Sequence, residues 1–213
     1  TNASGVSTCT MTSTKAETKT LSITSPFTKA GGTVVFQAGT AVAATSTVTG
    51  STPVTADGVS SSSVSITLRD AFSNPVAAIT PSFAATGTSN TVSACGASNA
   101  SGVSTCSLRS TKAETKTLSI ATPFVKSDGV VDFVAGLPAI ANSAITGTGP
   151  VIADGAATST VTVTLIDAFL NPVIGTIPTY NATNTGATNS YGICSASDSS
   201  GISTCTLTST KAE

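Results

Sequence analysis

The chain repeats its own sequence at a fixed spacing of 97 residues. A repeat of this length is too long for a solenoid unit and is typical of a self-contained domain of about 100 residues. After Tyr180 the spacing becomes 99, because Cys95 corresponds to Cys194, and the two inserted residues predict a loop. Three pairs of segments carry the repeat most clearly: ASGVSTC at 3–9 and 100–106, STKAETKTLSI at 13–23 and 110–120, and DAF-x-NPV at 70–76 and 167–173.

Aligning the copies divides the chain into three parts. Residues 1–40 correspond to the C-terminal part of a repeat, 41–138 to one complete repeat, and 139–213 to the N-terminal part of a further repeat. The last 17 residues match the first 17, so both ends fall at about the same phase of the repeat. We therefore expect this sequence to be a window from a longer tandem array.

The secondary-structure signal inside the complete repeat has a period of two residues. In the segment 63–70, Val64, Ile66 and Leu68 alternate with polar residues, which predicts a half-buried strand. The segment 104–109 alternates in the same way, and Gly, Asn, Asp and Pro clusters separate such segments. No stretch has a helical apolar stripe. Roughly seven short strands per repeat predict an all-β chain of tandem immunoglobulin-like β-sandwich domains of about 97 residues.

The charged residues are too few and too scattered for most kinds of functional site. The chain has 9 Lys and Arg, 10 Asp and Glu, no His and a net charge of −1. Acid/base and metal-assisted catalysis need groups that this composition hardly supplies, so we expect no enzyme and no cofactor. The absence of a basic cluster argues against nucleic-acid binding. Polar residues interrupt every long apolar stretch, so direct membrane insertion is not expected either.

Three segments in order resemble a known family of domains. They are ADGVSSSSVSITLRDAFSNPVAAITPSFAATG at 56–87, GVSTCSLRSTKAETKTLSI at 102–120, and VDFVAG at 131–136. Together they resemble the bacterial Ig-like domain group 1 of invasin- and intimin-type surface proteins, and the resemblance covers the whole chain. The departures are the cysteines, which many members lack, and Ser73 and Leu170, where a Gly commonly precedes the Asn. The resemblance implies stalk repeats of a bacterial adhesin at the extracellular cell surface.

The five cysteines predict two disulfides of equal span. Cys95 and Cys106 are 11 residues apart, and so are Cys194 and Cys205. If residues 96–102 connect a hairpin, the two cysteines of each pair face one another across it. Free buried thiols or a soft metal site are the alternatives, although a metal needs four converging ligands and no histidine is present. Cys9 stays unpaired in this window, with its partner expected upstream, and stable disulfides imply export.

Four aspartates recur with the repeat, and we interpret them as turn residues. Asp57 and Asp154 precede Gly, whereas Asp70 and Asp167 begin the DAF-x-NPV segment, where a carboxylate can bind the backbone amides of the following turn. Calcium binding at a junction between modules is the alternative. The aspartates lack the close spacing that converges several oxygens on one ion, so no metal site is predicted.

Two further sequence patterns could mark covalently modified residues, but we interpret both as unmodified. The Lys-Ala-Glu element could be imagined as an isopeptide pair, but a solvated surface turn fits residues two apart on an extended chain. The Asn-x-Ser/Thr acceptor pattern is expected by chance in a chain so rich in Ser, Thr and Asn. The residues concerned are Lys15, Lys112, Lys211, Glu17, Glu114 and Glu213 for the first pattern, and Asn2, Asn99 and Asn181 for the second.

The leading functional hypothesis is a non-catalytic structural spacer built from neighbouring repeats. About six residues without a Gly/Ser-rich tract separate consecutive repeats, which restricts hinge motion. The alternative is a segment of an extracellular fibre that assembles head to tail by strand complementation, with residues 33–38 of one chain against 161–165 of another. A hydrolase or sugar-binding module lacks the necessary residues, since the chain has no Trp and two Tyr.

Overall fold

The computed structural model describes residues 1–183 and 188–212. The loop predicted after Tyr180 lies partly outside these residues, and so does Glu213. Within the described residues the chain forms strands, turns and irregular segments, and no helix. The strands are β1 (Thr18–Ile23), β2 (Lys29–Val35), β3 (Thr47–Gly50), β4 (Val54–Thr55), β5 (Ser62–Thr67), β6 (Ser82–Ala85), β7 (Asn90–Val92), β8 (Val103–Ser110), β9 (Thr115–Thr122), β10 (Lys126–Val134), β11 (Ala144–Gly147), β12 (Ser159–Thr164), β13 (Asn189–Tyr191) and β14 (Ile202–Ser209).

Strands β3 to β10 form a two-sheet sandwich. One sheet has the order β3-β5-β8-β7 and the other the order β4-β10-β9-β6. Strands β3 and β4 follow each other in the chain but lie in different sheets, because β4 pairs in parallel with β10. The apolar side chains of both sheets meet in one buried core that includes Val48, Ile66, Leu108 and Leu118. The prediction of an all-β immunoglobulin-like sandwich is confirmed.

The alternation seen in the sequence sets the core face of this sandwich. Val64 and Ile66 of β5 are fully buried, and Ser65 between them is not. Opposite them on β8, Cys106 pairs with Val64 and Ser104 pairs with Ile66. Both partners are buried too, which confirms the predicted strand faces. Burial of each large aliphatic side chain contributes about 1.5–3 kcal/mol, so these positions supply much of the stability of the repeat.

The parts on either side of the sandwich form single sheets. Strands β1 and β2 pair with each other, and the second sheet has the order β11-β12-β14-β13. Val161, Val163 and Leu165 of the latter form a small buried cluster with the two cysteines of that part. Among the described strands, neither sheet is hydrogen-bonded to the sandwich.

The connections between repeats are longer than the six residues that we expected. Residues 36–46 separate β2 from β3, and residues 135–143 separate β10 from β11. These segments fold back on the following repeat, where the Val42 amide donates to the Arg69 carbonyl at 2.9 Å. The Ala139 amide donates in the same way to the Ile166 carbonyl at 2.7 Å. Each connection therefore has more residues than we expected, but a backbone hydrogen bond fixes it against the following repeat.

Candidate functional site: the junction between repeats

Asp70 organises the turn that follows β5. Its Oδ1 accepts hydrogen bonds from the backbone amides of Phe72 and Asn74, both at 2.9 Å. This geometry confirms the predicted turn role. Ser73, between the two amide donors, has a φ of 64° in the left-handed region. That conformation is costly for a residue with a side chain, which explains why a glycine would suit this position.

The second oxygen of Asp70 reaches the connection from the preceding repeat. Oδ2 accepts from the Gly39 amide at 2.9 Å and from the Asn74 side-chain amide, also at 2.9 Å. Hydrogen bonds from the Asn74 side chain and from the amides of Gly39, Asn74 and Phe72 lower the pKa of Asp70 to about 2, although burial opposes this shift. The carboxylate is therefore ionised at neutral pH and has its acceptor sites occupied by donors of its own chain.

Asn74 links the turn to the preceding repeat. Its Nδ2 donates to the Thr14 carbonyl at 2.8 Å, and its Oδ1 accepts from the Ala16 amide at 2.9 Å. The side-chain amide thus pairs with the backbone as a neighbouring strand would, across about 60 residues of sequence. Because Asn74 is buried and also bonded to Asp70, its position is fixed from both repeats. We call the set Asp70, Asn74, Gly39, Thr14 and Ala16 the first junction clamp.

A second junction clamp joins the sandwich to residues 139–212. Asn171 donates to the Thr111 carbonyl and accepts from the Ala113 amide, both at 2.9 Å. Asp167 accepts from the Asn171 side chain and from the Gly136 amide, both at 3.0 Å. Burial alone would raise the pKa of Asp167, but these bonds and those from the turn amides outweigh it and lower the pKa. The arrangement therefore recurs at both junctions with the same atoms.

The Lys-Ala-Glu element contributes its backbone to these clamps. We expected a solvated turn, and Lys15 fits that description, since it is exposed and pairs with Glu17 at 2.6 Å. The expectation missed the role of the backbone at Ala16 and Ala113. The sequence signal for this backbone contact was the asparagine of the DAF-x-NPV segment. The turn itself does not require an asparagine side chain, yet both copies of the segment have one. Glu213 lies outside the described residues, so the third Lys-Ala-Glu element is incomplete there.

Asp57 and Asp154 close local turns. Asp57 Oδ1 accepts from the amides of Val59 and Ser60 at 2.8 Å and 2.6 Å. Asp154 Oδ1 accepts from the amides of Ala156 and Ala157 at 2.8 Å and 2.7 Å. The Ser60 hydroxyl, followed by the amides of Ser60 and Val59, lowers the pKa of Asp57. The amides of Ala157 and Ala156 lower the pKa of Asp154. Within residues 1–183 and 188–212, no group of three or more His, Cys, Asp or Glu could hold a metal ion.

The cysteines lie at the base of a tight turn. Cys95 is joined to Cys106, with their Cα atoms 4.5 Å apart, and Cys194 to Cys205, with a Cα separation of 4.2 Å. Of the cysteines in the described residues, Cys9 is unpaired and exposed.

Two of the Asn-x-Ser/Thr asparagines act in turns. Asn99 Oδ1 accepts from the amides of Ser101 and Val103 at 2.9 Å and 3.1 Å. Asn2 makes the same pair of bonds to the amides of Ser4 and Val6. The third asparagine, Asn181, is exposed.

One family model matches the chain, over the complete repeat. Residues 41–136 match the family described as invasin, domain 3. The match covers the whole β3–β10 sandwich and ends where the second connection begins. No curated protein matches the sequence. The described residues contain no membrane-spanning helix.

Several solved structures of bacterial proteins share the fold. The Escherichia coli adhesin FdeC matches with a TM-score of 0.63 and 24% identity, over 83% of this chain and 59% of that one. Invasin, an integrin-binding protein, matches with a TM-score of 0.60 and 21% identity, over 86% of this chain and 38% of that one. InvD of Yersinia pseudotuberculosis matches with a TM-score of 0.58 and 24% identity, over 79% of this chain and 50% of that one. The chain thus spans less than two thirds of each of these structures.

Proposed function

Because the repeat at residues 41–136 is an Ig-like domain of the invasin and intimin type, we propose that the chain is a non-catalytic stalk of a bacterial surface adhesin. In this function the tandem repeats form a rod that holds an adhesive region away from the cell. Its location is extracellular, at the bacterial surface. The disulfides support this location, since such bonds persist in oxidising compartments.

The domain division that belongs to this proposal follows the strand pairing. Every strand from β3 to β10 pairs within residues 41–138, which we assign as one complete repeat. Strands β1 and β2 of residues 1–40 pair only with each other, and β11 to β14 of residues 139–213 pair only among themselves. We assign these flanking parts as the C-terminal and N-terminal parts of two further repeats.

The observation that carries the stalk proposal is the pair of junction clamps. A stalk must resist bending where its repeats meet, and a junction without side-chain contacts would leave the repeats free to rotate. Here Asn74 and Asn171 each make two hydrogen bonds to the backbone of the preceding repeat. Because both asparagines are buried and are anchored by an ionised aspartate, removal of the amide leaves backbone groups at partly buried contacts without these partners.

The experiment measures the distance across the second junction. Spectroscopic labels are attached through non-natural amino acids at Val125 and Ile193, which are both strongly exposed. Pulsed electron resonance should give a narrow distance distribution for the wild type and a broad one for Asn171→Ala. Asn99→Ala is the matched control, because Asn99 Oδ1 also binds two backbone amides, and both lie within its own turn. An equally broad distribution in the wild type would contradict the proposal.

The pH dependence of the same distance distribution provides a second test. A carboxyl group whose pKa is lowered in the folded state contributes stability above its unfolded pKa of about 3.9 and loses it as the pH falls through the folded value. Because the pKa of Asp167 is lowered, the wild-type distribution should stay narrow from pH 7 to pH 5 and broaden only well below pH 4. The Asn171→Ala distribution should already be broad at pH 7, and a wild type that broadened near pH 6 would point to another group.

A further inference from the structure

Strand β4, near the start of the complete repeat, lies beside the last strand, β10, and runs in the same direction. Val54 and Thr55 pair with Phe133 and Val134 in a parallel ladder. The Ala56 amide donates to the Val134 carbonyl at 2.8 Å and extends this ladder. All other strand pairs in the described residues are antiparallel. The start and the end of the repeat are therefore joined directly to each other by hydrogen bonds.

Two side chains extend this contact toward the beginning of β10. The Asp132 amide donates to Thr52 Oγ1 at 2.9 Å. The Lys126 ammonium group donates to the Ser46 carbonyl. Because Lys126 is the first residue of β10, the contact follows this strand from its first residue to its last. We call the contacts of residues 46–56 with β10 the shear interface.

A glycine allows a close backbone contact in the middle of the shear interface. A Cβ on Gly129 would lie 2.5 Å from the Val48 carbonyl oxygen, which is too close for any side chain. Strands β3 and β10 therefore contact each other here backbone to backbone. Val48 and Val131 are both fully buried, so water does not surround this contact. The shear interface is thus closely packed at its centre as well as hydrogen-bonded at its ends.

Tension along the chain pulls the two sides of the shear interface in opposite directions. The chain enters the complete repeat after Gly39 of the first junction clamp and leaves it through Gly136 of the second. Strand β10 begins beside Ser46 and ends just before Gly136, so it runs from the first junction to the second. A pull on both ends therefore draws residues 46–56 toward the first junction and β10 toward the second. Because β4 and β10 are parallel, they slide along each other, and their evenly spaced hydrogen bonds are loaded together.

We propose that the complete repeat bears tension along the stalk, and that the shear interface is the part that resists this tension. The inference rests on the proposed stalk function, because a stalk transmits any pull between the cell and the attached surface. Forced unfolding is governed by the rate of unfolding and not by the equilibrium stability. The bonds that must break in one step set this rate. The mechanical lifetime of the repeat therefore depends on the direction of pulling, whereas its stability in urea does not.

Single-molecule measurements at constant force on the 213-residue chain test the proposal. DNA handles attached through non-natural amino acids at Thr40 and Leu137, which are both exposed, load the shear interface along its length. In a second attachment the handles are at Lys112 and Leu137, which flank the same end of the β9–β10 hairpin and so unzip it. At equal force the repeat should survive at least about tenfold longer with the first attachment, because several hydrogen bonds break in one step. Equal lifetimes would overturn the proposal.

Thr52→Val removes one hydrogen bond of the shear interface, because valine keeps the shape of threonine but cannot accept the Asp132 amide. The lifetime with the first attachment should fall about two- to tenfold, and the lifetime with the second should stay unchanged. Circular dichroism checks that the variant is folded.

Thr122→Val is the matched control. Thr122 is also exposed, also precedes a proline and also accepts a backbone amide, that of Ser82 at 3.0 Å. This bond joins β6 to β9 and lies outside the shear interface, so the lifetime with the first attachment should stay that of the wild type. Equal losses in Thr52→Val and Thr122→Val would overturn the proposal. The distance measurement across the second junction does not involve the shear interface, so it would still decide whether the chain is a stiff stalk.

Discussion

The hairpins β1–β2 and β9–β10 compare nearly the same sequence in two surroundings. Both form an antiparallel ladder with the same register, and both have an irregularity near the glycine of the second strand. Only β9–β10 lies against a facing sheet, and there Leu118 is fully buried, while Leu21 keeps 39% of its surface exposed. Local sequence therefore determines the pairing of a hairpin, whereas the facing sheet determines how much the same side chains contribute to stability.

Another pair of corresponding segments shows that local sequence does not always determine strand pairing. Residues 103–110 form β8, which pairs with β5 on one side and β7 on the other. Residues 6–13 begin with the same VSTC sequence but form no strand. A strand at the centre of a sheet depends on both neighbours for its hydrogen bonds, so its sequence alone does not produce it.

The largest expected difference in stability is between Leu118→Ala and Leu21→Ala, which truncate corresponding leucines of the two hairpins. Leu118→Ala removes a fully buried side chain and should lower the free energy of unfolding of the complete repeat by about 2–5 kcal/mol. Leu21→Ala should change stability by under about 1 kcal/mol, because much of that side chain already contacts water. Urea unfolding at a dilution where the chain is monomeric measures both. Equal effects would show that β1–β2 has a facing sheet that the single chain does not contain.

The cysteines give a second comparison, of somewhat smaller size. Cys106→Ser opens the loop closed with Cys95 and should destabilise the complete repeat by roughly 3 kcal/mol on the loop-entropy model. Cys9→Ser occupies the same position of the repeat but should have an effect within about 0.5 kcal/mol, since Cys9 is exposed and unpaired. Thermal unfolding of both variants measures the difference.

Peptide mapping under non-reducing conditions checks the bonds themselves. It should find Cys95 linked to Cys106 and Cys194 linked to Cys205. Free thiols at these positions, or a link between Cys95 and Cys194, would contradict the assignment.

The sequence predicts features that have a local pattern. The strand faces of Val64 and Ile66 follow from alternation, and the role of Asp70 follows from turn chemistry. The partner of Asn74 was not predictable in this way, because a contact between a side chain and a backbone about 60 residues away leaves no periodic signal. Strand β4, at two residues, is too short to show a period.

Lys116 is a different kind of exception. It lies on the core face of β9 with no exposed side-chain surface, although a lysine in so polar a chain would be expected at the surface. Its ammonium group is paired with Glu114 and donates to the Thr88 carbonyl at 2.7 Å. A buried charge of this kind depends on partners that only the folded chain brings together.

The smallest expected effect concerns the turn residue before each junction asparagine. Ser73 and Leu170 have φ angles of 64° and 65°, so Ser73→Gly and Leu170→Gly relieve strain that costs a side-chain residue about 1 kcal/mol or more. Glycine also loses more entropy on folding, which leaves an expected gain of about 0.5–1 kcal/mol. Ser63→Gly, at the second position of β5, is the control and should lower stability.

This last pair of variants separates local strain from burial. The complete repeat has a full core around its turn, whereas the described residues of the part 139–212 form one sheet. Any effect that works through packing should therefore differ between the two sites. Backbone strain depends on the φ and ψ angles of the residue itself. The Ser73 amide donates to the Asp70 carbonyl at 2.9 Å, and the Leu170 amide donates to the Asp167 carbonyl at 3.3 Å. We therefore expect equal gains from the two glycines in hydrogen-exchange measurements of each part. A gain at Ser73 without one at Leu170 would show that the facing sheet, and not the turn itself, holds this residue in the left-handed conformation.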